Sequence, residues 1–95
     1  MGTLVRYMKD NKGRTRGCIV CTGKDPKYGK GNMYAYKIGI SFCNPKDNFD
    51  KKTALNIAIG RAKNSSINAN VPKNMAAILH DEWDRMLVRA RKYYK

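Results

Sequence analysis

The chain has 95 residues, of which 42% are hydrophobic and 28% are charged, a balance that predicts one globular domain and excludes a disordered chain. Lysine and arginine total 20 against seven acids, so the formal net charge is +13. This excess indicates a polyanionic partner, and without a long apolar run in the sequence nucleic acid is favoured over a membrane. Three cysteines, an odd number, do not suit a secreted disulfide framework, so a reducing cytoplasm is the predicted location.

The first half of the chain predicts β-strands. The segments TLVRYMKD and TRGCIVCTG flank NKGR, in which Asn11 and Gly13 suit the positive backbone angles of a tight turn. We therefore expect a strand hairpin over residues 3–22, followed by a loop over 23–32 that is rich in glycine and lysine. The next segment, MYAYKIGISFC, alternates with a period of two and predicts a strand over 33–43. Its larger side chains form one buried face, and its small residues form a more open face.

The second half predicts two helices. Asp50 is a suitable N-cap for a helix over 50–63, within which Gly60 is interpreted as room for close packing. Pro72 suits the first turn of a second helix, over 72–93. The first helix has an apolar stripe made of Leu55, Ala58, Ile59 and Ala62. The stripe of the second consists of Met75, Leu79, Trp83, Met86, Leu87 and Ala90. Together these elements predict a single α+β domain, an antiparallel sheet of about three strands covered on one face by two helices.

Two of the cysteines have the C-x-x-C spacing of a zinc half-site. The residues between Cys18 and Cys21 are β-branched, however, and favour an extended strand on which residues three apart point to opposite faces. Structural cysteines are therefore the favoured interpretation, and neither a metal nor a cofactor is predicted. The alternative is a zinc site with the ligands Cys18, Cys21, Cys43 and His80.

Charged residues of the second helix do not form a catalytic pattern. His80 lies beside acidic residues, but no nucleophile, carboxylate pair or metal motif accompanies it, so no enzyme is predicted. Arg85, Arg89 and Lys92 follow one another at helical spacing, and Asp81 precedes Arg85 by four residues. This spacing predicts an ordinary salt-bridged surface.

The basic residues are most concentrated in the hairpin and the loop that follows it. Two lysines also open the first helix, where the helix dipole favours an anion, and the tyrosine of the loop has the chemistry to stack on a base. Some basic residues of the strands suit a phosphate-binding sheet face. The predicted nucleic-acid contacts are Arg6, Arg14, Arg16, Lys24, Lys27, Tyr28, Lys30, Lys37, Lys46, Lys51 and Lys52.

Residues 36–62, YKIGISFCNPKDNFDKKTALNIAIGRA, resemble a segment of small uncharacterised proteins encoded by bacteriophages. In those proteins a strand is followed by C-N-P-x-D-x-F and then by a helix with the pattern I-A-x-G-R-A. The resemblance implies a phage or other mobile-element origin and a setting in the cytoplasm of the host cell. It implies no assigned activity.

The function predicted from these observations is non-enzymatic nucleic-acid binding. A basic sheet face and lysine-rich loops would contact phosphates of DNA or RNA with low sequence specificity. Two alternatives remain open. One is a phage-encoded inhibitor or modulator that docks on an acidic host protein. The other is a small nucleic-acid-processing enzyme, for which Asp47 and Asp50 are the candidate metal ligands.

Overall fold

The structure is a computed structural model that describes residues 2–24, 36–43, 50–64 and 71–94. These residues contain three strands and two α-helices. The strands are β1 (Leu4–Lys9), β2 (Thr15–Lys24) and β3 (Tyr36–Phe42). The helices are α1 (Lys51–Lys63) and α2 (Ala76–Tyr93), and a single 3₁₀ turn over Lys73–Met75 precedes α2. The α+β class is confirmed. Most of the predicted loop over 23–32 lies outside the described residues.

The strands form one antiparallel sheet in the order β1-β2-β3. Cys18 pairs with Tyr7 on one side and with Ser41 on the other. Register shifts occur near both ends of β2, and in the first of them Arg16 is an extra residue with no counterpart in β1. β2 is therefore the central strand, and the bulges at its ends mark the limits of regular pairing.

The turn between β1 and β2 is organised by Asp10, whose side chain is buried. Its Oδ1 accepts hydrogen bonds from the backbone N–H groups of Lys12 and Arg14, each at 2.9 Å. The backbone of Gly13 has a φ of 80°, the positive angle predicted for this turn. The hydrogen bonds, above all that from the Arg14 N–H, hold the pKa of Asp10 below its ordinary value. Asp10 therefore stabilises the hairpin as a carboxylate.

The two helices lie on opposite faces of the sheet, so the expectation that both cover one face is wrong. α1 covers the face that we call the alanine face, made of Cys18 and Val20 of β2 against Ala54, Ala58 and Ala62. α2 covers the other face, which we call the core face. Its buried side chains are Met8, Ile19, Cys21, Ile38, Ile40, Met75, Met86, Leu87, Ala90 and Tyr94. The physical reason is that residues 17–21 of β2 are buried without interruption, so both faces of the strand need an apolar cover.

Close approach of α1 to β3 is made possible by Gly39. A Cβ atom at this position would lie 2.0 Å from the carbonyl oxygen of Ala58 and 2.5 Å from the backbone nitrogen of Ala62. Ser41 adds a buried hydrogen bond, from its hydroxyl to the Ala54 carbonyl at 2.8 Å. Gly60, by contrast, has open space around it, so its predicted role in close packing is wrong. The small residues of β3 therefore form a helix-packing surface rather than an open one.

The ends of the two helices are fixed by polar contacts. Asp50 caps α1 as predicted, because its Oδ1 accepts from the backbone nitrogens of Lys52 and Thr53 at 3.0 and 3.3 Å. At the other end of the chain, the Tyr94 hydroxyl lies 2.7 Å from the carbonyl oxygen of Gly2 and 2.9 Å from that of Cys21. The predicted stripe of the second helix is confirmed, since all of its members pack in the core-face cluster.

The contact at Gly39 predicts a strong effect of a single methyl group. Gly39→Ala should lower the free energy of unfolding by about 3 kcal/mol, because a backbone cannot move aside as a flexible side chain can. Gly60→Ala is the matched control, and it should raise the stability by up to about 1 kcal/mol because it removes a glycine from a helix interior without a clash. Urea denaturation of the two variants measures both changes. Equal stability of the two variants would contradict the close contact.

The hydrogen bonds of Asp10 predict a specific acid sensitivity. Because its folded-state pKa lies below the ordinary 3.8, its stabilisation is complete above that value and is lost as the pH falls through the lowered pKa. The free energy of unfolding of the wild type should therefore fall more steeply between about pH 5 and about pH 2 than that of Asp10→Asn. Asp81→Asn, at an exposed position on α2, is the control for the loss of one carboxylate from the protein. Identical profiles for the wild type and Asp10→Asn would show that the turn carboxylate contributes nothing.

Candidate nucleic-acid interface

The structure describes seven of the predicted nucleic-acid contacts. Lys27, Tyr28, Lys30 and Lys46 lie outside the described residues. The others are distributed over several surfaces of the domain, namely Arg6 on the core face, Arg14 in the hairpin turn, Arg16 and Lys24 near the ends of β2, Lys37 on β3, and Lys51 and Lys52 at the start of α1.

Arg6 extends from β1 towards α2 and forms an ion pair. Its Nε and Nη2 both donate to the carboxylate of Glu82, and the Nη2–Oε1 distance is 3.3 Å. This pair is partly shielded from water, with side-chain exposures of 32% for Arg6 and 11% for Glu82. The hydrogen bond raises the pKa of the Arg6 guanidinium above its ordinary value. Arg6 is thus a fixed, paired cation rather than a mobile surface charge.

The strands do not combine their basic side chains on one open face. Strand alternation places Lys37 on the alanine face with Gly39 and Ser41, whereas Arg6 lies on the core face. A helix packs on each of these faces. The predicted open basic sheet face is therefore absent from the described part of the chain. The physical reason is the position of α1, which packs on the face that the sequence pattern predicts to be open.

The start of α1 already has its anion. The Asp50 carboxylate accepts the N–H groups of the first turn, and the Thr53 hydroxyl donates to its Oδ2 at 3.0 Å. These hydrogen bonds, with the Thr53 N–H first, lower the pKa of Asp50. Lys51 lies with its Nζ 5.0 Å from the centre of the Tyr7 ring, a cation–π distance, and Lys52 is exposed. The anion that we expect at this helix start is thus supplied by the chain itself, and the lysines project beside it.

A groove of about 350 Å³ lies between β1 and α2. We call it the arginine groove, and its lining residues are Arg6, Asp84, Arg85, Val88 and Arg89. The Nη1 of Arg85 is 3.4 Å from the Glu82 Oε1, whereas Asp84 lies beside His80, with 3.7 Å between Oδ2 and Nδ1. Within the described residues, Arg89 has no hydrogen bond or ion pair, and Val88 is 50% exposed. The surface of the groove is almost entirely apolar, so Val88 and the carbon atoms of the arginine side chains supply most of its lining.

The helical spacing predicts an ordinary salt-bridged surface for these arginines. The acid that contacts Arg85 is Glu82, three residues before it, rather than the predicted Asp81. The signal that could have revealed the groove is Val88, an apolar residue set between Arg85 and Arg89 on the polar side of the helix. Arg6, which lines the same groove from β1, is distant in the sequence and has no such signal.

The three cysteines do not converge. Cys18 belongs to the alanine-face cluster and Cys21 to the core-face cluster, which confirms that the two thiols point in opposite directions. Burial raises the pKa of Cys18 to about 11 and also raises that of Cys21. Cys43 is partly buried, and His80 is exposed on α2. Among the residues that the structure describes, no three histidine, cysteine or acidic side chains are grouped to hold a metal ion.

Comparisons with known proteins add no assignment. No family model, curated protein or solved structure matches the chain. The resemblance of residues 36–62 to bacteriophage proteins therefore stays a prediction. In the described ranges, neither helix has the combined length and apolar character that crossing a membrane requires.

The burial of two thiols predicts an order of chemical reactivity. Cys43 should react first with a thiol-specific reagent in the folded protein, because Cys18 and Cys21 are fully buried and their raised pKa values disfavour the thiolate. In denaturant all three cysteines should react together. Ellman's reagent measures the time course, and Cys43→Ser is the control that should remove the first phase. A rapid phase that survives this substitution would contradict the burial of the other two.

Proposed function

We propose that the protein binds nucleic acid without catalysing a reaction on it and contacts phosphates with low sequence specificity. The observation that carries this proposal is that three acidic side chains make hydrogen bonds or ion pairs within the fold. Asp10 accepts hydrogen bonds in the hairpin turn, Asp50 caps α1, and Glu82 pairs with Arg6 and Arg85. These carboxylates are engaged within the fold, so they do not neutralise the lysines and arginines elsewhere on the surface. A polyanion is the partner that fits the remaining charge.

The distribution of the exposed cations supports contacts with phosphates rather than with base edges. Lys51 and Lys52 project at the start of α1, and Lys63 lies at its end. Arg91 and Lys92 lie in the last turn of α2, on the other side of the sheet. Recognition of base edges needs several donors and acceptors converging on one groove, whereas phosphate contacts need only positive charge along a path. These cations do not converge on one groove, so contacts with phosphates fit them better than contacts with base edges.

A cytoplasmic setting, in a host cell if the chain is phage-encoded, belongs to the same proposal. The three cysteines are free thiols, as a reducing compartment allows. Nucleic acid is also abundant in that compartment. A phage origin rests on the sequence resemblance of residues 36–62 alone.

Nucleic-acid binding of this kind predicts a steep salt dependence. The affinity for short DNA and RNA, single- and double-stranded, should fall between about 50 mM and about 300 mM NaCl, with a slope of about −0.9 for each duplex phosphate neutralised. Lys52→Gln should weaken binding to all sequences and lower the magnitude of this slope by at most about one. Asn56→Gln, at an exposed position of the same helix, is the neutral control. Fluorescence anisotropy measures both, and binding that is absent at low salt or indifferent to salt would overturn the proposal.

The same samples separate the alternatives. The oligonucleotide should remain intact after incubation with Mg²⁺, because binding alone is proposed; metal-dependent cleavage would favour the enzyme alternative. A pull-down from host lysate should lose its partners after nuclease treatment. A partner that survives the nuclease would favour the inhibitor of an acidic host protein.

A further inference from the structure

We infer that the arginine groove binds one unpaired nucleotide of a single-stranded nucleic acid, with the base against Arg6 and Val88 and the phosphate on Arg89. This inference rests on the nucleic-acid binding proposed above and adds the class of strand and the place where it binds. The groove volume of about 350 Å³ lies in the range of small-ligand sites. Four of its lining residues, Arg6, Val88, Arg89 and Asp84, each offer a nucleotide a distinct contact.

Arg6 supplies a pre-positioned flat surface. Because Nε and Nη2 both donate to Glu82, one edge of the guanidinium is occupied and its plane is fixed. Arg6 also lines the groove, whose surface is almost entirely apolar, so its carbon atoms provide most of the contact. Guanidinium planes stack on unpaired bases in single-strand recognition. A fixed plane loses little conformational freedom when a base stacks on it.

Val88 and Arg89 supply the other two contacts. Val88 is 50% exposed, so a base that covers it removes apolar surface from water. Arg89 lines the same groove and has no hydrogen bond or ion pair within the described residues, which leaves its guanidinium available for a phosphate. The groove therefore offers an apolar contact and an anion contact side by side, as a nucleotide requires.

Asp84 favours a nucleotide over an acidic peptide as the ligand of the groove. It is 65% exposed in its side chain and lines the groove. A base amino group or a ribose hydroxyl can donate to its carboxylate, whereas the side chains of an acidic peptide offer it no donor. A duplex is also disfavoured, because stacked and paired bases do not present their faces to a protein side chain. Single-stranded nucleic acid is thus the occupant that uses the chemistry of these four residues.

The test compares two arginines of the same helix. Arg89→Ala and Arg91→Ala each remove one positive charge from an exposed position, but only Arg89 lines the groove. The dissociation constant of a labelled single-stranded oligothymidylate should rise about tenfold for Arg89→Ala, the loss expected of a specific phosphate contact, and about twofold for Arg91→Ala, a screened long-range charge. Circular dichroism confirms that both variants are folded. A duplex and a polyglutamate peptide are measured in parallel, and both should show similar, small effects of the two substitutions.

The outcomes separate this inference from the function on which it rests. Equal losses for the two variants, with salt-dependent binding retained, would overturn the groove as the nucleotide site and leave the proposed function standing. A larger effect of Arg89→Ala on polyglutamate than on the oligonucleotide would overturn the inference in favour of an acidic protein partner. No binding of any nucleic acid by the wild type would overturn both. A selective loss of single-strand binding in Arg89→Ala supports the inference.

Discussion

The architecture depends on one backbone-to-backbone contact, the approach of α1 to β3 at Gly39. The space that a Cβ would need is occupied by the backbone of α1 at Ala58 and Ala62. Only a glycine in the strand and alanines in the helix allow the two backbones to lie so close. The contact is reinforced on either side, by Ser41 bonding to α1 and by Arg61 donating to the Ile40 carbonyl at 2.7 Å. α1 therefore seals the alanine face and, through Arg61, contacts a backbone acceptor of the edge strand β3.

Sealing that face determines where the larger residues and the charges lie. With α1 on the alanine face, the bulky side chains of β2 and β3 are covered by α2 on the core face. Both faces of the central strand are then dry, and most of the described cations lie on the outer strands, at the strand ends, in the turn and on the outer sides of the helices. The basic surface is thus divided among several regions.

Much of this fold could be predicted from local patterns, and the failures have a common cause. The cap at Asp50, the turn at Gly13 and the alternation of β3 depend on neighbouring residues, which a sequence displays directly. The position of α1 could not be predicted in this way. A strand face of small residues is compatible both with exposure to water and with the closest possible helix packing. Only the complementary alanines of α1, spaced four apart at Ala54, Ala58 and Ala62, distinguish the two cases.

The candidate site was harder to predict, because its members are brought together by tertiary contacts. Arg6 and Glu82 are 76 residues apart in the chain, and neither has a local signal that names the other. Alternation of β1 does place Arg6 on the same face as Leu4 and Met8, which face the core. A cation on a core-facing position calls for a buried acid, since an unpaired buried charge is costly. The sequence therefore predicts that Arg6 needs an acidic partner, but it does not identify Glu82 as that partner.

The Arg6–Glu82 pair also explains why the arginine groove lies where it does. Two parallel hydrogen bonds between a guanidinium and a carboxylate tolerate little rotation, so the pair helps to fix how α2 is turned against β1. Arg89 follows Glu82 by seven residues, which is two helical turns, and it therefore lies on the same side of α2. Glu82 thus compensates the charge of Arg6 and orients the helix, while Arg89 is too far along the helix to share that carboxylate. Glu82 therefore fixes the guanidinium plane of Arg6 and leaves Arg89 as a cation beside it.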